Sequence, residues 1–432
     1  MRYIYPWLVA VFILLEPAGT SRIYANDAAL EKTAERFFEL MVEGKKVDAF
    51  QEFEMTETMR SWFQAGKHQS AAKDFRRQFG STGELRKTEV IRHTPQIQSV
   101  ELFYSGKTNS FKARVTFEGN RISGVHYLFW SDEQAHGGTP IQLATPTGTI
   151  FGTLLEPEQT TEPMPVVLIL AGSGATDRNC NQLPAVHTNA YRMLAEALQQ
   201  NGIASVRFDK RGVGASAEVG ADESKLRFEH YVEDAALWLD RLSQEGKYSK
   251  IIVLGHSEGS LIGMLACLQS DKAAGFISLC GAGRPLDELL RMQMEQQPRA
   301  IKETFLPILD EWKQGRTVDN VPNELLSLAR PGVQPYMISW LKYDPQEEIK
   351  KLAIPVLILQ GTTDIQVSVT DAEELSKANP NAKKVTIKNM NHVLKTGTTT
   401  IRLIQLLNYA DPKIPLHEEL VPNITDFIAN IK

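Results

Sequence analysis

Hydrophobic positions first recur at helical spacing: Leu30, Ala34, Phe37, Phe38 and Met41 form one apolar stripe and predict an amphipathic helix. A more polar helical stretch from Met55 to Phe79 follows. Gly80 and Gly83 then lead into strand-like runs at Thr88 to His93, Gln98 to Tyr104, Ser110 to Phe117 and Val125 to Trp130. Helices followed by a meander predict a small α+β domain. A polar, turn-rich passage from Ser131 to Pro140 marks its end. Beyond it the period changes. Ile141 to Leu143 and Ile150 to Leu155 flank Pro146-Thr147-Gly148 as a hairpin. Strands and helices then alternate: strand Val166 to Leu170, helix Tyr191 to Gln199, strand Ala204 to Phe208, helix Tyr231 to Leu242, strand Ile251 to Leu254, helix Leu261 to Leu268 and strand Gly275 to Leu279. Strands at Pro355 to Leu359 and Lys384 to Ile387 and a helix at Ile424 to Ile431 close the series. Unbroken apolar runs mark strands covered on both faces, so the fold class is α/β, a mostly parallel sheet flanked by helices.

A chain of 432 residues with 42% hydrophobic content can bury more than one core, consistent with two domains. The expected organisation is a leader at 1–25, a small α+β domain at 26–135 and the α/β domain at 136–432. In the leader, Arg2 precedes an apolar run from Ile4 to Leu15, broken by Glu16 and Pro17, with Ala25 as a small residue for cleavage. The run is shorter than the roughly 20 residues that span a bilayer, so a cleaved signal peptide and a periplasmic or extracellular protein without a stable membrane span are expected. With 47 basic against 52 acidic residues and no basic run, nucleic acid is not an expected partner. Cys180, Cys267 and Cys280 lack CxxC spacing and a His cluster, so neither a zinc site nor a disulfide framework is expected.

Gly255-His256-Ser257-Glu258-Gly259 follows an apolar strand and opens a helix. A serine hydroxyl is a weak nucleophile, and a tight strand-to-helix turn presents it to a base while flanking glycines relieve crowding. Ser257 is the expected nucleophile. The Glu258 N–H, at a helix N-terminus, is an expected oxyanion donor. An acid and a histidine should follow, each beyond a later strand. Asp364 lies past the Pro355 to Leu359 strand and His392 past the Lys384 to Ile387 strand. Asp371 competes with Asp364 but is placed to begin the next helix; His256 competes as base but would point away from the hydroxyl. The loop Ala171 to Asn179 supplies the second oxyanion donor: Gly172 and Gly174 allow close backbone approach and Ser173 offers its N–H. A phosphate-binding loop would need a Lys-Ser/Thr ending that this loop lacks.

Gly172-Ser173-Gly174 with Asp177-Arg178-Asn179, then Phe208 through Ser216 (FDKRGVGAS), then Gly255 through Gly259 resemble a bacterial group of α/β-hydrolases. That group includes carboxylesterases with an N-terminal extra domain and serine-aminopeptidase-like relatives. The resemblance covers roughly residues 141–432. It implies the α/β-hydrolase fold, a Ser257–Asp364–His392 triad, a small-molecule ester substrate and neither metal nor organic cofactor. Ala171, where many relatives carry histidine, and Ser260, where a glycine is common, depart from the wider pattern without touching a reacting group. Asp177, Arg178, Asp209 and Arg211 are expected to form ion pairs between neighbouring strand-end loops, in support of the site. The order of elements before residue 136 resembles the cone-shaped, cystatin-like modules that precede some secreted hydrolases.

An insertion, Pro285 to Gln346, is the expected helical cap, at about 285–346. Its Met292, Met294, Phe305, Leu306, Leu309, Trp312, Met337, Trp340 and Leu341 are expected to pack rather than to line a substrate pocket. The expected chemistry is ester hydrolysis through an acyl-enzyme, with a peptidase or amidase as the second reading and a non-catalytic binding protein as the third.

Overall fold

The computed structural model describes residues 27–105, 111–129, 137–158, 163–182, 186–295 and 297–431. The expected leader, and residues 131–136 of the expected boundary passage, lie outside the described residues. The chain divides into two compact units between Asp132 and Glu133.

In the first unit the helix Asp27–Val42 buries all five residues of its predicted stripe. The second helical region is two helices, Glu57–Gln64 and Lys67–Phe79, separated at Gly66, whose φ of 69° is the left-handed conformation that ends one helix and lets the next start. Four strands follow as an antiparallel meander, β1 (Glu84–Arg92), β2 (Ile97–Ser105), β3 (Phe111–Glu118) and β4 (Arg121–Phe129), in spatial order β1-β2-β3-β4. Val100, Leu102 and Tyr104 of β2 and Phe111, Ala113, Val115 and Phe117 of β3 meet Phe37, Phe38, Phe63, Phe75 and Phe79 of the helices in one aromatic-rich core.

The second unit is built on an eight-stranded sheet. Its strands are β5 (Thr139–Thr145), β6 (Gly148–Leu155), β7 (Met164–Leu170), β8 (Ala204–Phe208), β9 (Tyr248–His256), β10 (Gly275–Leu279), β11 (Val356–Gly361) and β12 (Lys383–Ile387), and their spatial order is β12-β11-β10-β9-β7-β8-β6-β5. The hairpin β5-β6 and the β6–β8 pair are antiparallel; all other pairs are parallel. Alternate residues of β7 explain its unbroken apolar run. Val166, Leu168 and Leu170 join the core beneath the helices Phe228–Gln244 and Glu258–Gln269, whereas Val167 and Ile169 join the core beneath Ala190–Gln200 and Leu420–Asn430. This is the α/β-hydrolase fold.

Met294, Phe305, Leu309, Trp312 and Met337 of the insertion are buried in the first of these two cores, with Trp340 and Leu341 packed against it. The insertion is therefore integral to one face of the domain. Among the elements that were not predicted are a short hairpin, Asn181–Gln182 with Val186–His187, and a helix, Arg402–Tyr409.

Candidate active site

Ser257 sits between the end of β9 and the helix Glu258–Gln269, with φ 55° and ψ −120°. Such a conformation strains any residue with a Cβ and reverses the chain abruptly. Both flanking glycines are needed for the reversal. A Cβ on Gly255 would stand 2.1 Å from the Gly259 carbonyl oxygen, and one on Gly259 would stand 2.4 Å from that of Leu170. The Ser257 N–H donates to the Leu279 carbonyl at 2.9 Å, tying the turn to β10. Ser257 is half-buried between buried neighbours on either side, so the turn exposes the serine and little else.

Asp364 lies on the loop beyond β11. Its Oδ1 accepts the N–H groups of Gln366 and Val367 at 2.8 and 2.9 Å, and its Oδ2 accepts from Gln360 Nε2 at 3.1 Å and faces His392 Nδ1 at 2.7 Å. Burial opposes ionisation of this carboxyl, but the His392 ring and the two N–H donors outweigh it and hold Asp364 below the usual carboxylate range. An ionised carboxylate at Nδ1 fixes the proton there. In the neutral ring this makes Nε2 the acceptor, the tautomer that a general base needs. Asp371 does not compete for His392. Its carboxylate closes a capping box with Ser368 and receives Arg284 at 2.5 Å.

His392 and Ser257 line one pocket of roughly 180 Å³, together with Gly172, Ser173, Gln182, Tyr191, Gln366 and Tyr409 among others. No described residue of the insertion lines it. A larger depression, roughly 660 Å³, lies where the chain enters β10 and β11, at the opposite strand ends, and contains none of these groups.

His256 points away from the serine. Its Nε2 faces the His392 carbonyl oxygen at 2.8 Å and so carries the proton; its Nδ1 accepts from Tyr191 Oη at 2.7 Å. Burial, together with the nearby His392, lowers its pKa to about 3, which keeps the ring neutral. His256, Cys280 and His392 bring potential metal-ligating atoms within 4.8 Å of one another. Both nitrogens of His256 and the Nδ1 of His392 are already committed to hydrogen bonds, so this group does not form a ligand set.

In the loop after β7, the Gly172 N–H donates to Tyr191 Oη at 3.2 Å. The Ser173 carbonyl accepts from Thr176 Oγ1 and Gln182 Nε2, at 2.8 and 2.7 Å. Gly174 has a φ of 73°, and a Cβ there would meet Gln182 Nε2 at 3.0 Å. Among the described residues, the N–H groups of Ser173 and Glu258 donate to no protein group, which leaves both available to a ligand. Gly172 stands against the nucleophile: a Cβ there would lie 3.2 Å from that of Ser257.

The expected ion pairs are realised only in part. Arg178 and Asp209, both fully buried, pair at 2.8 Å and join the loop after β7 to the loop after β8. Arg211 instead pairs with Asp234 of the helix Phe228–Gln244 through two bonds of 2.6 Å. Asp177 makes no ion pair among the described residues. Its Oδ1 accepts the N–H groups of Asn179 and Asn181, each at 2.8 Å, and so shapes its own loop. Burial, reinforced by Asp209, raises the Asp177 carboxyl to about 7. Arg178 and Arg211 are both buried and neither lines the pocket. Sequence reasoning gave no role to Tyr191, Gln360 or Lys210; a lysine two residues past a buried strand, within FDKRG, was the one available signal.

The second unit thus has the fold of an α/β-hydrolase and brings Ser257 and the Asp364–His392 pair to one pocket at the ends of its strands. Residues 185–338, which include Ser257, match the family described as Hydrolase_4: Serine aminopeptidase, S33. The chain is similar to Esterase EstD of Thermotoga maritima, 29% identical over 245 residues, which cover 54% of this chain and 56% of the relative. The chain therefore spans about half the length of the curated relative it matches. Among solved structures, Est1E from Butyrivibrio proteoclasticus has a TM-score of 0.46 at 17% identity, covering 67% of this chain and 99% of that one. The Pyrococcus furiosus esterase Pf2001 has a TM-score of 0.43 at 16% identity, covering 68% of this chain and 92% of that one.

Proposed function

We propose that this protein is a serine hydrolase that cleaves small-molecule carboxylic esters through an acyl-enzyme on Ser257. One observation carries the reading: Asp364 holds His392 Nδ1 at 2.7 Å, leaving Nε2 as an acceptor in the pocket that also contains Ser257. His392 takes the Ser257 proton as Oγ attacks the ester carbonyl. The N–H groups of Ser173 and Glu258 stabilise the oxyanion. His392 then protonates the departing alcohol and activates the water that releases the acid. The similarity to Esterase EstD supports esters as the substrate class. The serine aminopeptidase match over 185–338 supports amide cleavage as a second reading, and matched ester and amide substrates sharing one acyl group separate the two. The pocket is small for a ligand site, which favours short acyl chains.

We also propose that residues 1–25 are a signal peptide and that the mature protein works outside the cytoplasm, on the strength of the short apolar run Ile4 to Leu15 behind Arg2. Mass analysis of the protein recovered from a bacterial periplasm tests this: an N-terminus near Asn26 is expected, and an intact Met1 terminus overturns it.

A further inference from the structure

Lys210 is 3% exposed, two residues beyond the end of β8, and the triad does not use it. Its Nζ donates to the Gly172 carbonyl oxygen at 2.5 Å and to Glu258 Oε2 at 3.2 Å, and lies 5.0 Å from the centre of the Tyr231 ring. Glu258 is itself 4% exposed, and its Oε1 has no hydrogen-bond partner. A buried ion pair of this kind is costly, and an apolar pair of similar volume often holds a fold equally well. Stability alone therefore does not account for it.

What the ammonium touches is more informative. The Gly172 carbonyl and the Ser173 N–H belong to one peptide unit. In a trans peptide they point in opposite directions, so fixing the carbonyl from behind fixes the direction of the N–H in front. Drawing on the carbonyl also polarises the unit and strengthens its N–H as a donor. The Gly172 N–H, on the other side, is held by Tyr191. The second contact of Lys210 is the side chain of Glu258, whose own N–H is the other proposed oxyanion donor. One ammonium thus grips both donor-bearing segments, one after β7 and one after β9, without lining the pocket itself.

We propose that Lys210 is a positioning residue for the oxyanion hole: through the Gly172 carbonyl and the Glu258 carboxylate it aims the Ser173 and Glu258 N–H groups at the charge that develops on the substrate oxygen. The proposal rests on the serine-hydrolase reading above. It is tested with Lys210→Met, and with Lys210→Met/Glu258→Met, which removes the carboxylate that the single variant would strand. The measurements are kcat and KM on a short-chain p-nitrophenyl ester, the affinity for an alkyl boronic acid that forms a tetrahedral anion on the serine, and the thermal midpoint. Misaimed donors weaken only the transition state. The expected result in the double variant is therefore a kcat lower by roughly ten- to hundred-fold, a boronic acid affinity reduced by a similar factor, a KM near the parent's and an intact fold. A folded double variant with parental kcat and boronic acid affinity overturns the proposal, as does unfolding of both variants, since a positioning role leaves the fold standing. If the parent itself neither hydrolyses the ester nor binds the boronic acid, the hydrolase reading fails and takes this proposal with it. Parental behaviour in the variants defeats the Lys210 role alone.

Discussion

Asp364 Oδ2 stands 2.7 Å from His392 Nδ1, and the same carboxylate is held by the N–H groups of Gln366 and Val367. The acid is thus fixed independently of the histidine, and in the proposed mechanism it sets the ring's tautomer and stabilises the imidazolium. Asp364→Asn keeps the shape and removes the charge. Turnover of a p-nitrophenyl ester is expected to fall roughly 10⁴-fold with KM little changed. A loss below about tenfold would mean that another group orients His392.

The glycines of the site differ in what they protect. A Cβ on Gly172 meets the Cβ of Ser257 at 3.2 Å, a contact that moves the nucleophile by a few tenths of an ångström, whereas one on Gly255 meets a backbone oxygen at 2.1 Å. Gly172→Ala is expected to fold and to lose up to roughly 10²-fold in kcat. Gly255→Ala is expected to fail to accumulate as soluble protein. Comparing expression and circular dichroism with activity for the two checks both halves; a well-folded Gly255→Ala would contradict the turn geometry.

Strain at the nucleophile should appear as a cost in stability. Ser257 holds a φ of 55°, so Ser257→Ala keeps the strain while Ser257→Gly relieves it, less the entropy that glycine loses on folding. Both variants lack the hydroxyl and should be inactive. In urea unfolding the glycine variant is expected to exceed the alanine variant by about 1 kcal/mol, and the reverse order would argue against a strained turn.

His256 makes part of the stability depend on pH. The unfolded chain protonates this ring near 6.5, while burial and the neighbouring His392 defer protonation in the folded protein to about 3. Between these values the unfolded state binds more protons, so the contribution of His256 is complete above pH 6.5 and is lost as the pH falls toward 3. His256→Gln removes the titration. Urea unfolding at a series of pH values should show a shallower decline over this window in the variant, and an unchanged slope would place the titration elsewhere.

Much of the α/β domain was legible because its strands are covered on both faces. Ala204–Phe208 and Gly275–Leu279 have the ends that their apolar runs predict. The helix Arg402–Tyr409 was hidden for the opposite reason. Its inward positions are Gln405 and Tyr409, and its outward ones include Leu403, Ile404, Leu406 and Leu407, all exposed, so the usual pattern is inverted. The triad could be read because each member follows a strand. The charges around it could not, since which acid meets which base is decided by loop packing: Asp177 turned inward on its own loop, and Lys210, to which the sequence assigned no role, is buried against the Gly172 carbonyl.

Labelling by a fluorophosphonate probe tests the central claim most directly, measured on the purified mature chain beside Ser257→Ala and paired with hydrolysis of p-nitrophenyl acetate. The account predicts that the parent labels at one site and cleaves the ester, and that both signals vanish with the single hydroxyl. A folded parent that shows neither, or a Ser257→Ala variant that retains both, would contradict it.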